Sequence, residues 1–554
     1  MLKENLIQIY ATSFADNWER PALTDYVGRN TMTYGDLARH IAMTHLLFKG
    51  AGIKKGDKIA LLGKNTIQWV TVYMATITYG AVIVPVLQEF NYLDAIHIIN
   101  HSDSRMLFVS DSIWEHLEFD KMPALVAAIS LDSRKLLGEH PANNRAVEKT
   151  LESLPRLFRK KYEKGFHRAD INYTILPPDS LAEINYTSGT TGFSKGVMLT
   201  LNNLCGNVVF GLGQKLHFRG SRALSFLPLA HAYGCAFDML TPLAAGSHIT
   251  LLGKLPTPKL LLKALGEVKP NLVLCVPLIL EKIYKKQLQP IINKDSMKVM
   301  MRTPVLKNVV FKKIREKLIE AFGGEFEQVI AGGAPLNPEV EAFLKKIGFP
   351  FTVGFGMTEC GPLISYTPWR EFIVGSAGRT LPGFMESKID SPDGEHIPGE
   401  ICVRGENVMK GYYKNPDATA AVLDADGWLH TGDMGTRTPD GTIFIKGRCK
   451  TMILTATGQN IYPEEIEAKL NNLPYVNESL VVERGRGLTA LVYPDYEAMD
   501  RAGLTSVDMD AIMDKNLAEL NKQVAAYERV DRIQLVPNEF EKTPKKSIKR
   551  FLYY

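Results

Sequence analysis

Asp57-Lys-Ile-Ala-Leu-Leu-Gly63 is a short apolar run of strand length, and helix-spaced apolar residues follow it from Gln68 to Tyr79. Ala81-Val-Ile-Val-Pro85 is a second strand, a helix pattern spans about Leu93 to Asn100, and Met106-Leu-Phe-Val-Ser110 is a third strand. Strand and helix in strict alternation predict parallel sheets covered by helices. The strand signal recurs at Arg222–Leu229, His248–Leu252, Leu272–Val276 and Gln328–Ile330, with no repeat of fixed period. After Asp390 the texture changes. Pro-Asp-Gly turns separate short apolar runs, and from Thr451 onward the chain reads as a small α+β unit. The fold class is α/β, with a large N-terminal region of layered sheets and helices and a small C-terminal α+β region.

The bulk numbers exclude several classes. At 554 residues the chain is too long for one ordinary domain, and 45% hydrophobic with 23% charged residues is globular rather than disordered. The 65 basic and 60 acidic residues leave a net charge of +5, compatible with an anionic ligand without demanding one. Six scattered cysteines form no CxxC pair, which argues against a zinc module or disulfide framework and for a reducing compartment. The first twenty residues are interrupted by Glu4, Asn5, Gln8 and Asp16 and read unlike a signal peptide. No apolar run reaches the roughly 20 residues of a membrane span. The expected location is the cytoplasm, with a peripheral contact to the inner face of the membrane left open. That contact would come from Arg145–Arg168, where Arg156, Arg159, Lys160, Lys161, Lys164 and Arg168 alternate with apolar residues. A solvated helix packed on its own domain is the favoured reading of that segment.

The strongest chemical signal is Tyr186-Thr-Ser-Gly-Thr-Thr-Gly-Phe-Ser-Lys-Gly-Val197. Glycines let a backbone approach a polyphosphate. The hydroxyls of Thr187, Ser188, Thr190 and Thr191 and the N–H of Gly189 can donate to its oxygens, and Lys195 adds charge. The loop is not of the GxxxxGK[ST] type. It resembles the phosphate-binding signature of the AMP-forming adenylate synthetases, the superfamily of acyl-CoA synthetases, luciferases and nonribosomal adenylation domains. Further motifs of that superfamily follow in order. They are Ala331-Gly-Gly-Ala-Pro-Leu336, Gly354-Phe-Gly-Met-Thr-Glu359, Gly399-Glu-Ile-Cys-Val-Arg-Gly405, Met409-Lys-Gly-Tyr-Tyr-Lys-Asn-Pro416, Trp428-Leu-His-Thr-Gly-Asp-Met-Gly435, Gly447-Arg-Cys-Lys450 and Gly458-Gln-Asn-Ile-Tyr-Pro-Glu-Glu-Ile-Glu467.

The resemblance implies roles as well as a fold. Gly332, Gly333 and Ala334 would line the adenine, with Gly354, Phe355 and Gly356 beside it. Glu359 and Thr187 would hold Mg²⁺, and Thr358 would contact the AMP phosphate. Asp433 would accept the ribose hydroxyls, an acceptor-only task that suits a carboxylate, and Arg448 would also reach the ribose. His231, in Leu227-Pro-Leu-Ala-His-Ala-Tyr-Gly234, would stand near the acyl carboxylate. Gly458 would touch CoA. Residues 1–448 would form the large domain, 449–450 a hinge pivoting on Lys450, and 451–554 a mobile small domain. The sequence departs from the pattern at three places: Phe355 replaces a tyrosine, Thr451 an acidic residue, and Ser547 in Thr543-Pro-Lys-Lys-Ser-Ile-Lys-Arg550 a lysine that contacts the substrate carboxylate. Lys546 is the first choice to supply that cation and Lys549 the second. The implied activity is ATP-dependent activation of a medium- or long-chain fatty acid and its transfer to CoA. The alternative acceptor is an acyl carrier protein. Nucleic acid is not an expected partner.

Overall fold

The computed structural model describes residues 2–187, 194–292, 294, 304–454, 459–485, 487–543 and 547–554. Ser188, Gly189, Thr190, Thr191, Gly458 and Lys546 therefore lie outside the described residues.

The opening alternation forms the centre of an eight-stranded sheet. Lys58–Leu62 pairs in parallel with Val82–Val86 on one side and Ser104–Val109 on the other, and Ala127–Ser130 continues the parallel run. Both faces are covered, so these strands are apolar throughout rather than alternating. The helix between the first two, Ile67–Tyr79, shows why the sequence folds this way. Thr66 caps its start by accepting the Trp69 N–H at 3.1 Å, and Gly80 ends it at φ +90°, a left-handed turn that glycine adopts without strain. Trp69, Val70, Val72, Tyr73 and Met74 are all wholly buried. Each side chain of this size contributes about 1.5–3 kcal/mol by leaving water.

The sheet continues through Leu181–Thr187 (β1), which pairs antiparallel with Lys195–Thr200 (β2), and β2 pairs with the short strand Gly411–Tyr412. The register sets Thr187 opposite Lys195 at the loop end of the hairpin and Tyr412 opposite Val197. A second sheet joins Arg222–Ser225, His248–Leu251 and Pro21–Asp25, and a parallel trio joins Leu272–Cys275, Gln328–Ala331 and Phe351–Val353. An antiparallel sheet follows, with Gly399–Gly405 (β3), Leu429–Arg437 (β4) and Ile443–Arg448 (β5) in adjacent positions.

One hydrophobic cluster runs through all of this, from Leu6 to Ile443. The C-terminal part has cores of its own. The hairpin Val476–Arg484 and Gly487–Pro494 sends Val481, Ala490 and Val492 to one face, where they meet Ile466, Leu470 and Leu520. Alternate residues Leu480, Val482 and Leu491 point to the other face and pack with Phe540. The small domain's first helix, α2 (Pro463–Leu470), touches β5 of the large one, where Lys446 pairs with Glu465 at 3.2 Å; Thr451, three residues past β5, donates to Glu464 at 2.6 Å. Lys285 donates to the Asn471 carbonyl at 2.7 Å and Asn337 to Asn472 at 2.6 Å, which fixes the second point of contact.

The basic segment forms α1 (Ala146–Lys161). Val147 and Thr150 are buried, and Leu151, Leu154 and Phe158 pack on the main core. Arg156, Arg159 and Lys160 are exposed. The apolar face is thus occupied and the cationic face is in solvent. Among the described residues no helix is long and apolar enough to cross a membrane.

Candidate active site

Several of the motifs scattered through the sequence converge on one cavity of about 350 Å³. Thr187, Lys195, His231, Gly332, Gly333, Gly354, Phe355, Gly356, Thr358, Glu359, Arg448 and Lys450 all line it. Most come from the end of a strand or the turn after it, the usual place for a ligand in a sheet with parallel strands. Thr187 and Lys195 close the β1–β2 hairpin. Gly332 and Gly333 follow the Gln328–Ala331 strand, and Gly354 follows Phe351–Val353. A Cβ on Gly356 would sit 2.3 Å from the Pro362 carbonyl oxygen, so only glycine fits there. A Cβ on Gly332 would meet the Tyr233 ring at 3.2 Å.

Glu359 lies on the single turn Thr358–Cys360 and is held twice. Met409 donates its N–H to the Glu359 carbonyl at 2.8 Å, and the Tyr412 hydroxyl donates to Oε1 at 2.8 Å. Lys195 stands 4.9 Å from the centre of the Tyr412 ring. Tyr412 therefore links Lys195 to the carboxylate of Glu359, which lies 53 residues before it in sequence. Burial and the neighbouring Glu359 charge push its phenol up, so it stays a donor at any ordinary pH. It belongs to the Met409–Pro416 motif, whose spacing carries no signal that this residue faces Glu359.

Asp433 and Arg448 are register partners on β4 and β5, joined Oδ1 to Nη1 at 2.6 Å. Asp433 is only 6% exposed. Burial pushes its carboxyl up, and Arg448 pulls against that. Burial disfavours the guanidinium charge, yet Asp433 and then Glu359 hold Arg448 above its ordinary value. Arg448 lines the cavity and Asp433 stands behind it rather than among the lining residues.

His231 lines the cavity and also accepts the Tyr233 N–H at 3.3 Å, capping the short turn Ala232–Gly234. Tyr233 donates to the Ile330 carbonyl at 2.9 Å and, with Leu216, Phe237 and Leu274, adds apolar surface to the cavity lining. Ala334 is not among the lining residues.

The C-terminal segment reaches the same cavity. Thr543 and Ser547 both line it, and Thr543 donates to the Ser547 carbonyl at 2.8 Å. Arg550 anchors the segment with a two-pronged contact to the Glu467 carboxylate, at 2.9 and 2.8 Å. Lys549 does not face the cavity; it pairs with Glu541 at 3.4 Å.

Comparison with known proteins agrees with this architecture. Residues 11–413 match the family described as AMP-binding enzyme, and the chain belongs to that family. It is 31% identical to the peroxisomal long chain acyl-CoA synthetase 7 of Arabidopsis thaliana, over 84% of this chain and 69% of that one. It is 28% identical to the long-chain-fatty-acid–CoA ligase FadD15 of Mycobacterium bovis, over 94% and 90%, and 28% identical to the long-chain-fatty-acid–CoA ligase of Escherichia coli O157:H7, over 86% and 83%. Among solved structures, ATP-bound MatB from Rhodopseudomonas palustris superposes with a TM-score of 0.75 at 22% identity, covering 99% of this chain and 98% of that one. The anthranilate CoA ligase AuaEII with anthranoyl-AMP gives 0.77 at 19%, covering 100% and 97%. These two show the fold.

Proposed function

We propose that the protein activates a medium- or long-chain fatty acid with ATP and transfers the acyl group to CoA, releasing AMP and pyrophosphate. The observation that carries this reading is the convergence of Thr187, Lys195, Glu359, Arg448, Thr543 and Ser547 on one cavity that also has apolar lining. The relatives named as long-chain fatty-acid–CoA ligases support the acyl class and favour CoA over a carrier protein as the thiol.

A carboxylate is a poor acyl donor because its oxygen leaves badly. In the first half-reaction a carboxylate oxygen forms a bond to the α-phosphorus of ATP and pyrophosphate departs. In the second, the CoA sulfur bonds to the acyl carbon, the thiol proton is lost, and AMP leaves with that oxygen. Two anions must meet in the first step, so positive charge lowers its barrier. Lys195 and Arg448 face the cavity, and Lys546 is our choice for the cation that Ser547 does not provide. Thr358 would bind the α-phosphate, Asp433 would set the ribose through its own acceptors and Arg448, and His231 would border the acyl carboxylate. Glu359 and Thr187 offer the hard oxygen ligands that Mg²⁺ prefers, and both line the cavity. Bound there, the ion would neutralise phosphate charge.

The chain would divide at 449–450, with Lys450 as the pivot for a small-domain rotation between the half-reactions and Gly458 reaching CoA afterwards. The exposed cations of α1 would give a weak, salt-sensitive contact to anionic lipid. Pyrophosphate release across a fatty-acid panel, followed by addition of CoA, tests the reading. Release that needs a fatty acid, with acyl-CoA formed only after CoA is added, supports it. Release without thioester points to a carrier-protein acceptor, and no release points to a binding protein.

A further inference from the structure

The turn that presents Asp433 is made by a mismatch between two strands. On β3 a single residue, Ile401, separates Glu400 from Cys402. Opposite them on β4, three residues separate Met434 from His430. Thr431, Gly432 and Asp433 therefore bulge out of the β3–β4 ladder, as extra residues in one strand must, while Asp433 stays in register with Arg448 on β5. Gly432 takes φ +73°, which a side chain would resist. The Thr431 hydroxyl donates to the Ile401 carbonyl at 2.8 Å and accepts the Asp433 N–H at 3.1 Å. The Gly432 N–H is left without a strand partner, and the Glu400 carboxylate takes it, Oε1 at 2.9 Å. Cys449 donates to the Gly432 carbonyl at 2.9 Å, tying the same bulge to the turn after β5.

Glu400 is itself held. Its other oxygen meets His430 Nδ1 at 2.9 Å, and His430 Nε2 faces Asp424 at 3.9 Å. Glu400, Cys402 and His430 bring a carboxylate, a thiol and an imidazole within 4.8 Å of one another, a set with metal-ligand chemistry. The contacts favour another use. Both Glu400 oxygens already have protein donors, and burial, then the Glu400 charge, pushes the Cys402 thiol up to about 12.

We infer that Glu400 is a positioning residue for nucleotide recognition: by accepting the Gly432 N–H it fixes the bulge and so the depth at which the Asp433–Arg448 pair meets the ribose. The inference rests on Asp433 as the ribose acceptor. Removing the Glu400 carboxylate would leave the bulge N–H unpaired in a part-buried place and let the turn relax, a loss on the scale of one hydrogen bond or about tenfold in an equilibrium.

The test measures ATP and 3′-deoxy-ATP side by side in fatty-acid-dependent pyrophosphate release. Glu400→Ala is expected to raise the KM for ATP about tenfold while kcat changes much less, and to shrink the preference for ATP over 3′-deoxy-ATP. Glu400→Gln keeps an acceptor for the Gly432 N–H and is expected to restore both. Glu400→Asp draws the carboxylate back by one carbon and is expected to behave like alanine, which gives a second readout if the alanine variant folds poorly. Asp433→Ala serves as the reference and should lose the ribose preference outright. A Glu400→Ala enzyme that keeps the wild-type preference, or that weakens ATP and 3′-deoxy-ATP equally, overturns the inference while leaving Asp433 in place. An Asp433→Ala enzyme with unchanged preference overturns the ribose reading and the inference with it.

Discussion

Asp433 and Arg448 lie 15 residues apart in sequence and directly opposite one another on β4 and β5, their side chains joined at 2.6 Å. One is nearly buried and the other half-exposed, so the ion pair spans from the interior to the cavity wall. Arg448→Ala would leave an unpaired carboxylate in a buried place. We expect a weaker ATP complex and a lower melting temperature, whereas Asp433→Ala weakens ATP with the fold intact. Isothermal titration with ATP and thermal unfolding of both variants check this. Equal ATP affinity in a folded Asp433→Ala protein removes that residue from the site.

Tyr412 donates to Glu359 while its ring carries Lys195. Glu359→Gln should cost ~10²–10³ in the adenylation rate, the scale of a lost transition-state contact. Tyr412→Phe keeps the ring under Lys195 and removes only the hydroxyl, so a smaller loss of about tenfold is expected, with a raised Mg²⁺ requirement. Magnesium titrations of pyrophosphate release distinguish the two.

The hinge and the tail should split the half-reactions in opposite senses. Lys450→Pro fixes φ near −65° at the proposed pivot, and we expect adenylation to survive while thioester formation fails. Lys546→Ala should do the reverse, losing adenylation but still passing supplied acyl adenylate to CoA. Because Ser547 lines the cavity, Ser547→Lys in the Lys546→Ala background should restore adenylation. The same experiment on Lys545→Ala and Lys549→Ala assigns the cation if Lys546 is silent.

The parallel heart of the large sheet was legible because apolar runs alternated with helix-spaced segments between Asp57 and Ser110. Strand order was not legible, since it depends on pairings far apart in sequence, such as Ile83 with Glu183. The cavity's residue types were legible as motifs. Their mutual contacts were not: nothing in the spacing says that Tyr412 meets Glu359, or that three residues of β4 bulge past one of β3. Three expected site residues also stand off the cavity lining: Ala334, Asp433 set behind Arg448, and Lys549 turned to Glu541.

Glu341, outside the site, carries a pH signature. It is 4% exposed, accepts the Gly375 N–H at 2.6 Å, and burial raises its carboxyl from 4.5 to about 7. A raised folded value means that its favourable contribution is complete below about pH 4.5 and is lost as pH climbs through 7. Glu341→Gln does not titrate and keeps the acceptor. Its melting temperature should rise above wild type as pH goes from 5 to 8, by the equivalent of about 3 kcal/mol at most. An equal difference at both pH values would contradict this.

One oxygen atom reports directly on the acyl-adenylate route. A fatty acid labelled with ¹⁸O in its carboxylate is incubated with the enzyme, ATP, Mg²⁺ and CoA, and the products are weighed by mass spectrometry. Attack of the carboxylate on the α-phosphorus, then loss of AMP to the thiol, predicts one ¹⁸O in each AMP per acyl-CoA formed and none in pyrophosphate. AMP without label, or label in pyrophosphate or inorganic phosphate, would contradict the acyl-adenylate route.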